Sequence, residues 1–244
     1  MKTSHMPTVN PRYWTAITLA SICGTNLGDL YAHTTHFGIV QGLLILCAIA
    51  AAAFIAERSD NAAHESYYWL VIIIIRTGAT NIADYLAFRV HVPMVLLIAG
   101  LAAALGVLAW KAKAGEGVRT AEAPILPDTG GIYWVAMLIA GVFGTVLGDV
   151  VSHAVGQGIA SLGLGFILAS VMWWRKSGVA TPGIGLYWLT VATARTAGTA
   201  IGDWLAENKI MNLGLPLCTA MTVFAFLFIL LAFPWRRAAR VTPA

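Results

Sequence analysis

Four aspartates stand inside apolar stretches of this chain, and each closes the same short motif. The copies are Gly24-Thr25-Asn26-Leu27-Gly28-Asp29, Ala79-Thr80-Asn81-Ile82-Ala83-Asp84, Gly144-Thr145-Val146-Leu147-Gly148-Asp149 and Gly198-Thr199-Ala200-Ile201-Gly202-Asp203. A carboxylate within a bilayer costs at least a few kcal/mol, so it turns towards the bundle interior or water and marks a site for an ion, a proton or a ligand. Thr25, Thr80, Thr145 and Thr199 each precede an Asp by four residues, one helical turn away on the same face. A threonine hydroxyl there can hydrogen-bond the carboxyl or co-ligate a cation. Small residues four apart, such as Gly24/Gly28 and Gly144/Gly148, form a second stripe that lets helices approach closely in lipid.

Two arginines share this setting. Arg76 and Arg195 each lie eight residues before an Asp, about 12 Å along an ideal helix. Helical side chains lean towards the N-terminus, which carries both guanidinium groups further from the acids. A direct salt bridge then needs staggered helices, a broken helix or water. The arginines cap carbonyls, pair with a neighbouring unit's Asp, or hold an anion and tune the acids. His33 and His153 follow an Asp by four residues, Glu207 takes that position in the last copy, and His36 and His91 lie at the same end. Carboxylates, hydroxyls and imidazoles together suit a borderline divalent metal, with His33, His153 and Glu207 as its candidate ligands beside the motif.

The elements that carry these groups follow from composition. Of 244 residues, 59% are hydrophobic and only 11% charged, against about 25% in a soluble domain. The apolar stretches match the roughly 20 residues of a spanning helix. Eight helices are expected, at 13–33, 37–56, 67–88, 92–111, 132–153, 157–175, 185–206 and 212–235. Cytoplasmic tails cover 1–12 and 236–244, and a linker over 112–131 divides a first four-helix half (13–111) from a second (132–235). No cleavable signal peptide is evident. Cys23, Cys47 and Cys218 all fall in apolar segments and read as packing residues, not disulfides. The net charge of +4 is no nucleic-acid signal, because Lys and Arg gather at helix ends. Arg12, Arg58, Lys111, Lys113, Arg119, Arg175, Lys176, Arg236 and Arg237 lie on one side, with Arg89 and Lys209 on the other. The positive-inside rule places both termini in the cytoplasm, for a multi-pass protein of a bacterial inner membrane.

The copies have an order. Residues 13–33 and 133–153 align and carry the histidines; residues 68–88 and 187–207 align and carry the arginines. The order is A-B-A-B, and each unit has two helices, so every unit enters the membrane in the same direction. Parallel repeats of this kind imply a pseudo-symmetry axis along the membrane normal, with the four motif helices around it. Trp14, Trp69, Trp134 and Trp188 precede the Asp residues by fifteen, each after a Tyr. These pairs read as an interfacial aromatic belt, which puts each Asp roughly three-quarters of the way across.

The repeated Tyr-Trp…Gly-Thr-x-x-Gly-Asp pattern, clearest over 133–158 and 187–205, resembles a bacterial family of uncharacterised membrane-anchored proteins built from four copies of a short repeat of unknown function. The resemblance spans all eight helices. In that family the first copy often reads Gly-Glu-Thr-x-x-Asp; here Thr25 stands in place of the second acid, so a two-carboxylate site within one helix does not carry over. The family implies no activity.

Walker-type loops, Cys-x-x-Cys, His-Glu-x-x-His and Gly-x-Ser-x-Gly elbows are all absent from the sequence, which argues against hydrolytic catalysis and ATP-driven transport. No enzyme and no cofactor is expected. The leading expectation is a proton-coupled secondary transporter or exchanger of a small cation, divalent metal ions included, with Asp29, Asp84, Asp149 and Asp203 as carriers. Its partners are then the lipid bilayer and a small ion or solute. One alternative is a small-anion transporter using Arg76 and Arg195. Another is a non-transporting module serving as sensor, assembly or cofactor-binding subunit.

Overall fold

The computed structural model describes residues 7–34, 39–59, 64–113, 127, 129–177, 183–209 and 213–233. Among them are eight α-helices and no strand. They are α1 (Pro11–Thr34), α2 (Ile39–Ser59), α3 (Glu65–Asp84), α4 (Met94–Lys113), α5 (Gly131–Val155), α6 (Gln157–Lys176), α7 (Ile184–Glu207) and α8 (Gly214–Ala232). Each expected helix is present, with ends displaced by a few residues. The termini beyond residues 7 and 233, most of the 112–131 linker and His36 lie outside the described residues.

Local chemistry sets several ends. Asn10 caps α1, its Oδ1 accepting the Tyr13 N–H at 3.0 Å, and Pro11 follows at the first helical position. Gly156 alone joins α5 to α6, with φ +87, a left-handed conformation that suits glycine. One helix departs from expectation. Directly after Asp84 the chain widens into a π-helical segment, Tyr85–Arg89, a distortion that tends to accompany functional sites.

The odd-numbered helices form a closed ring: α1 packs on α3, α3 on α5, α5 on α7 and α7 on α1. The even-numbered helices lie outside, α2 against α3, α4 against α5, α6 against α7 and α8 against α1. Their outward side chains are large and apolar, including Val95 at 78%, Leu162 at 74% and Leu231 at 78% exposure. That is the surface of a protein solvated by lipid tails. Six helices are long and apolar enough to cross a membrane: α2, α3 with its π-helical extension, α4, α5, α6 and α8. α1 and α7 fall outside that group because they carry polar residues, among them Ser21, Thr25, Asn26, Thr196 and Thr199, but those groups are buried in the ring.

Close approach within the ring depends on glycine. A Cβ on Gly24 would stand 2.7 Å from Arg76 Cβ, and one on Gly144 would stand 2.7 Å from the backbone carbon of Arg195. At one end, Arg12 donates to both Glu65 oxygens and to the Leu230 carbonyl, tying α1 to α3 and α8, and the Arg175 guanidinium stands 4.3 Å from the Trp14 ring centroid. Cys23, Cys47 and Cys218 are free thiols.

Candidate functional site

Successive turns of the four ring helices place residues at i, i+4 along one axis, and each turn forms a layer. Sixteen residues before the aspartates stand Tyr13, Tyr68, Tyr133 and Tyr187, a separation of about 24 Å. Their hydroxyls close a cycle, with O···O distances of 2.7 Å for Tyr13–Tyr68, 2.6 Å for Tyr68–Tyr133, 2.9 Å for Tyr133–Tyr187 and 2.7 Å for Tyr187–Tyr13. Every hydroxyl can donate one bond and accept one, so the ring satisfies itself without water. The tryptophans buttress it in the same rotation: Trp69 lies against Tyr13, Trp134 against Tyr68, Trp188 against Tyr133 and Trp14 against Tyr187, at 5.5 to 5.7 Å between centroids. Above comes a dry layer of Ile17, Ile72, Met137 and Val191, all fully buried.

The next layer holds Ser21, Arg76, Gly141 and Arg195. Both arginines are fully buried, and they diverge. Arg195 contacts Ser21 Oγ at 3.3 Å and Met137 Sδ at 3.9 Å, towards the tyrosines. Arg76 reaches the other way and donates to all four motif threonines: Nη1 to Thr80 at 2.9 Å and Thr145 at 2.8 Å, Nη2 to Thr25 at 2.5 Å and Thr199 at 2.6 Å. Helices α3 and α7 stand across the ring from each other, so divergence separates two like charges at one level. Neither arginine pairs with an Asp; among the described residues the ion pair is Arg12 with Glu65. The Nε–H of Arg76 and that of Arg195 have no partner.

Above Arg76 a cavity of about 840 Å³ opens, and Asp29, Asp84, Asp149 and Asp203 all line it with the four threonines. No described residue donates a hydrogen bond to any of the four carboxylates. Leu30, Phe88, Leu215 and Pro216 add apolar surface to its lining. His33, His153 and Glu207 line the cavity where the ring helices end and are exposed. Glu207 accepts from Gln157 at 2.5 Å, and His153 Nδ1 stands 2.8 Å from the Asp149 carbonyl. His91 adopts a left-handed backbone, φ 56, and is not among the lining residues. Among the described residues no three His, Cys, Asp or Glu side chains converge closely enough to ligate one metal ion.

All ten motif and arginine positions singled out in the sequence are thus brought together, except that Arg195 points away from the cavity. The aspartates form its wall, the threonines its floor with Arg76 beneath them, and the His/Glu set its rim. The tyrosine ring was not anticipated as part of the axis. Its signal was available, since sixteen residues is four steps of the same i, i+4 stripe that links Thr to Asp. Ser152, buried and lining the cavity without a partner, carried no signal.

A family described as Repeat of Unknown Function (DUF347) matches residues 12–59 and 186–240. These segments hold α1 with α2 and α7 with α8, so the likeness is to a repeat of that kind at both ends of the chain. No curated protein and no solved structure matches the chain significantly.

Proposed function

We propose that the chain is a secondary transporter of small cations whose binding chamber is the cavity ringed by Asp29, Asp84, Asp149 and Asp203. The observation that carries this reading is the convergence of four carboxylates from four helices on one cavity of about 840 Å³. Its volume falls in the range of roughly 300–1,000 Å³ common for small-molecule sites. Four acids face it against one guanidinium beneath its threonine floor, so its field attracts cations. Below that floor, Arg76, the apolar layer and the tyrosine ring form a seal, which fits a carrier with one side closed better than an open channel.

In this reading all eight helices cross the membrane, as four parallel two-helix units about an axis along the normal. The cyclic contacts of ring and outer helices support that arrangement. α1 and α7 span because the ring and the outer helices shelter their polar groups. The positive-inside rule then puts the tyrosine ring near the cytoplasm and the cavity mouth on the opposite side of a bacterial inner membrane. Protons exchanged at the carboxylates supply the coupling, and the four acids titrate as a group.

One observation favours a reversed reading, in which a small anion is carried: Arg195 is fully buried, its Nε–H has no partner and no carboxylate neutralises it. A single experiment separates the readings. Purified protein in liposomes is given a pH gradient, and cation flux is followed for wild type, Asp149→Asn, Asp203→Asn and Arg195→Gln. The cation reading expects both Asn variants to lose at least about 90% of the flux, as when a carrying group is removed, while Arg195→Gln shifts its pH dependence. Unchanged cation flux in both Asn variants sinks it. Anion flux abolished by Arg195→Gln establishes the reversed reading, and a folded protein that moves neither ion is a non-transporting module.

A further inference from the structure

We propose that the cation held in the ring cavity is an organic polycation, a linear di- or polyamine, and not a desolvated metal ion. This rests on the reading of the cavity as a cation site and names its substrate class.

A bound metal ion draws its ligands to one point, at about 2.0–2.6 Å. Here the carboxylates come from four separate helices, whose axes stand about 8–10 Å apart in ordinary packing. No three acid, imidazole or thiol groups of the described residues meet. The motif's other oxygens are the four threonine hydroxyls, each of which already accepts from Arg76, so a metal ion that used them would stand beside the guanidinium charge. Among the described residues a bare ion would find no three such ligands within reach, in a chamber far larger than itself.

A linear amine fits what is there. Ammonium groups spaced along a methylene chain can meet separated carboxylates one by one, each as a charge-assisted hydrogen bond. The methylenes between them can lie on Leu30, Phe88, Leu215 and Pro216, apolar residues that line the same cavity. A second observation is independent of the acids. Ser152 lines the same cavity, is only 7% exposed, and its hydroxyl has no partner. Buried polar groups without partners are rare, and each asks for an explanation such as a bound water or ligand; an amine N–H in the cavity would supply the missing bond. Arg76 beneath the threonines repels ammonium groups, which keeps the ligand above the threonine layer.

The test uses the full-length protein in nanodiscs, titrated calorimetrically at low ionic strength with spermidine, putrescine, butylamine, MgCl2 and MnCl2. The expected order is spermidine over putrescine over butylamine, with spermidine at least about tenfold tighter than either metal. Asp203→Asn weakens spermidine by about tenfold or more, and Ser152→Ala weakens it severalfold. The wild-type series needs no variant, so a misfolded mutant cannot obscure it. Butylamine binding as tightly as spermidine overturns the polycation assignment. So does a metal binding tighter than spermidine and lost in Asp203→Asn, while leaving the cation chamber standing. Silence of all five compounds on the wild type removes the cation reading itself.

Discussion

Arg76 and Arg195 occupy the same position in two aligned copies, yet they do different work. Two guanidinium groups at one depth of a narrow ring repel, and the ring relieves this by sending one up and one down. Arg76 then meets four hydroxyls, and hydrogen bonds to a charged group contribute about 1.5–3 kcal/mol each. Thr145→Val keeps the side-chain shape and removes one acceptor from Arg76. It should lower the midpoint of thermal unfolding by an amount corresponding to about 1.5–3 kcal/mol. Thr193→Val, at a hydroxyl bonded only to the Leu189 carbonyl, should leave the midpoint within about 0.5 kcal/mol of wild type. Equal effects of the two would show that Arg76 gains nothing from the threonine layer. The sequence pointed to the threonines as partners of the acids, from the i, i+4 spacing. It could not show that they serve the arginine instead, because a rotamer preference towards the helix N-terminus holds for Arg195 and is overridden at Arg76 by four acceptors. The tyrosines were obscured for a related reason. A Tyr-Trp pair at a helix start has the composition of an interfacial belt, and only its phase with the Asp stripe separates a buried hydroxyl ring from a surface one.

At the scale of the helix, the glycines of the motif set how close the ring can be. They stand where the next helix comes close: Gly24 meets Arg76, Gly144 meets Arg195 and Gly198 meets Ser21. The small-residue stripe was legible from its spacing of four, and so was the direction in which it faces, away from the Thr/Asp stripe by one position. Its partner was not, since nothing in one sequence says which helix comes next around the ring. Gly144→Ala puts a methyl against the Arg195 backbone, which cannot swing aside as a side-chain end could. Overpacking of this kind costs about 1–3 kcal/mol, and the misplaced Arg195 layer should loosen the helix contact between α5 and α7. Gly100 in α4 provides the contrast, because nothing lies within 4 Å of a Cβ built there. Gly100→Ala should therefore be neutral or stabilising, by up to about 1 kcal/mol from helix propensity. Thermal unfolding in one detergent, with both variants beside wild type, checks the pair. A Gly144→Ala protein as stable as Gly100→Ala would mean that the ring is looser than the close approach implies.

At the scale of the molecule, the proposed eight spans require two helices too polar to pass as membrane spans, α1 and α7, to cross one. Hydropathy measures a segment as if lipid surrounded it on every side. α1 and α7 would meet lipid on little of their surface, because ring neighbours cover one face and outer helices another, so that Ser21, Thr25, Asn26, Thr196 and Thr199 are buried in protein. The outer helices are apolar all round and were plain in the sequence. Of the ring helices α3 and α5 were as plain, while α1 and α7 gain support from the repeat, which aligns α1 with α5 and α3 with α7. If all eight span, the two ends of α7 and the ends of α6 fall on opposite faces in alternation. Lys176, at the end of α6, then shares a face with the start of α7, and Glu207, at the end of α7, lies on the other. In a background with Cys23, Cys47 and Cys218 replaced by alanine, a membrane-impermeant maleimide added to intact cells should label Glu207→Cys and spare Lys176→Cys until the membrane is opened. His153→Cys should behave as Glu207→Cys does, since both sit at the cavity rim. Labelling of Lys176→Cys and Glu207→Cys from the same side would mean that α7 does not cross. The ring would then be a structure at the membrane surface, and a cavity opening away from the cytoplasm would have no physical basis.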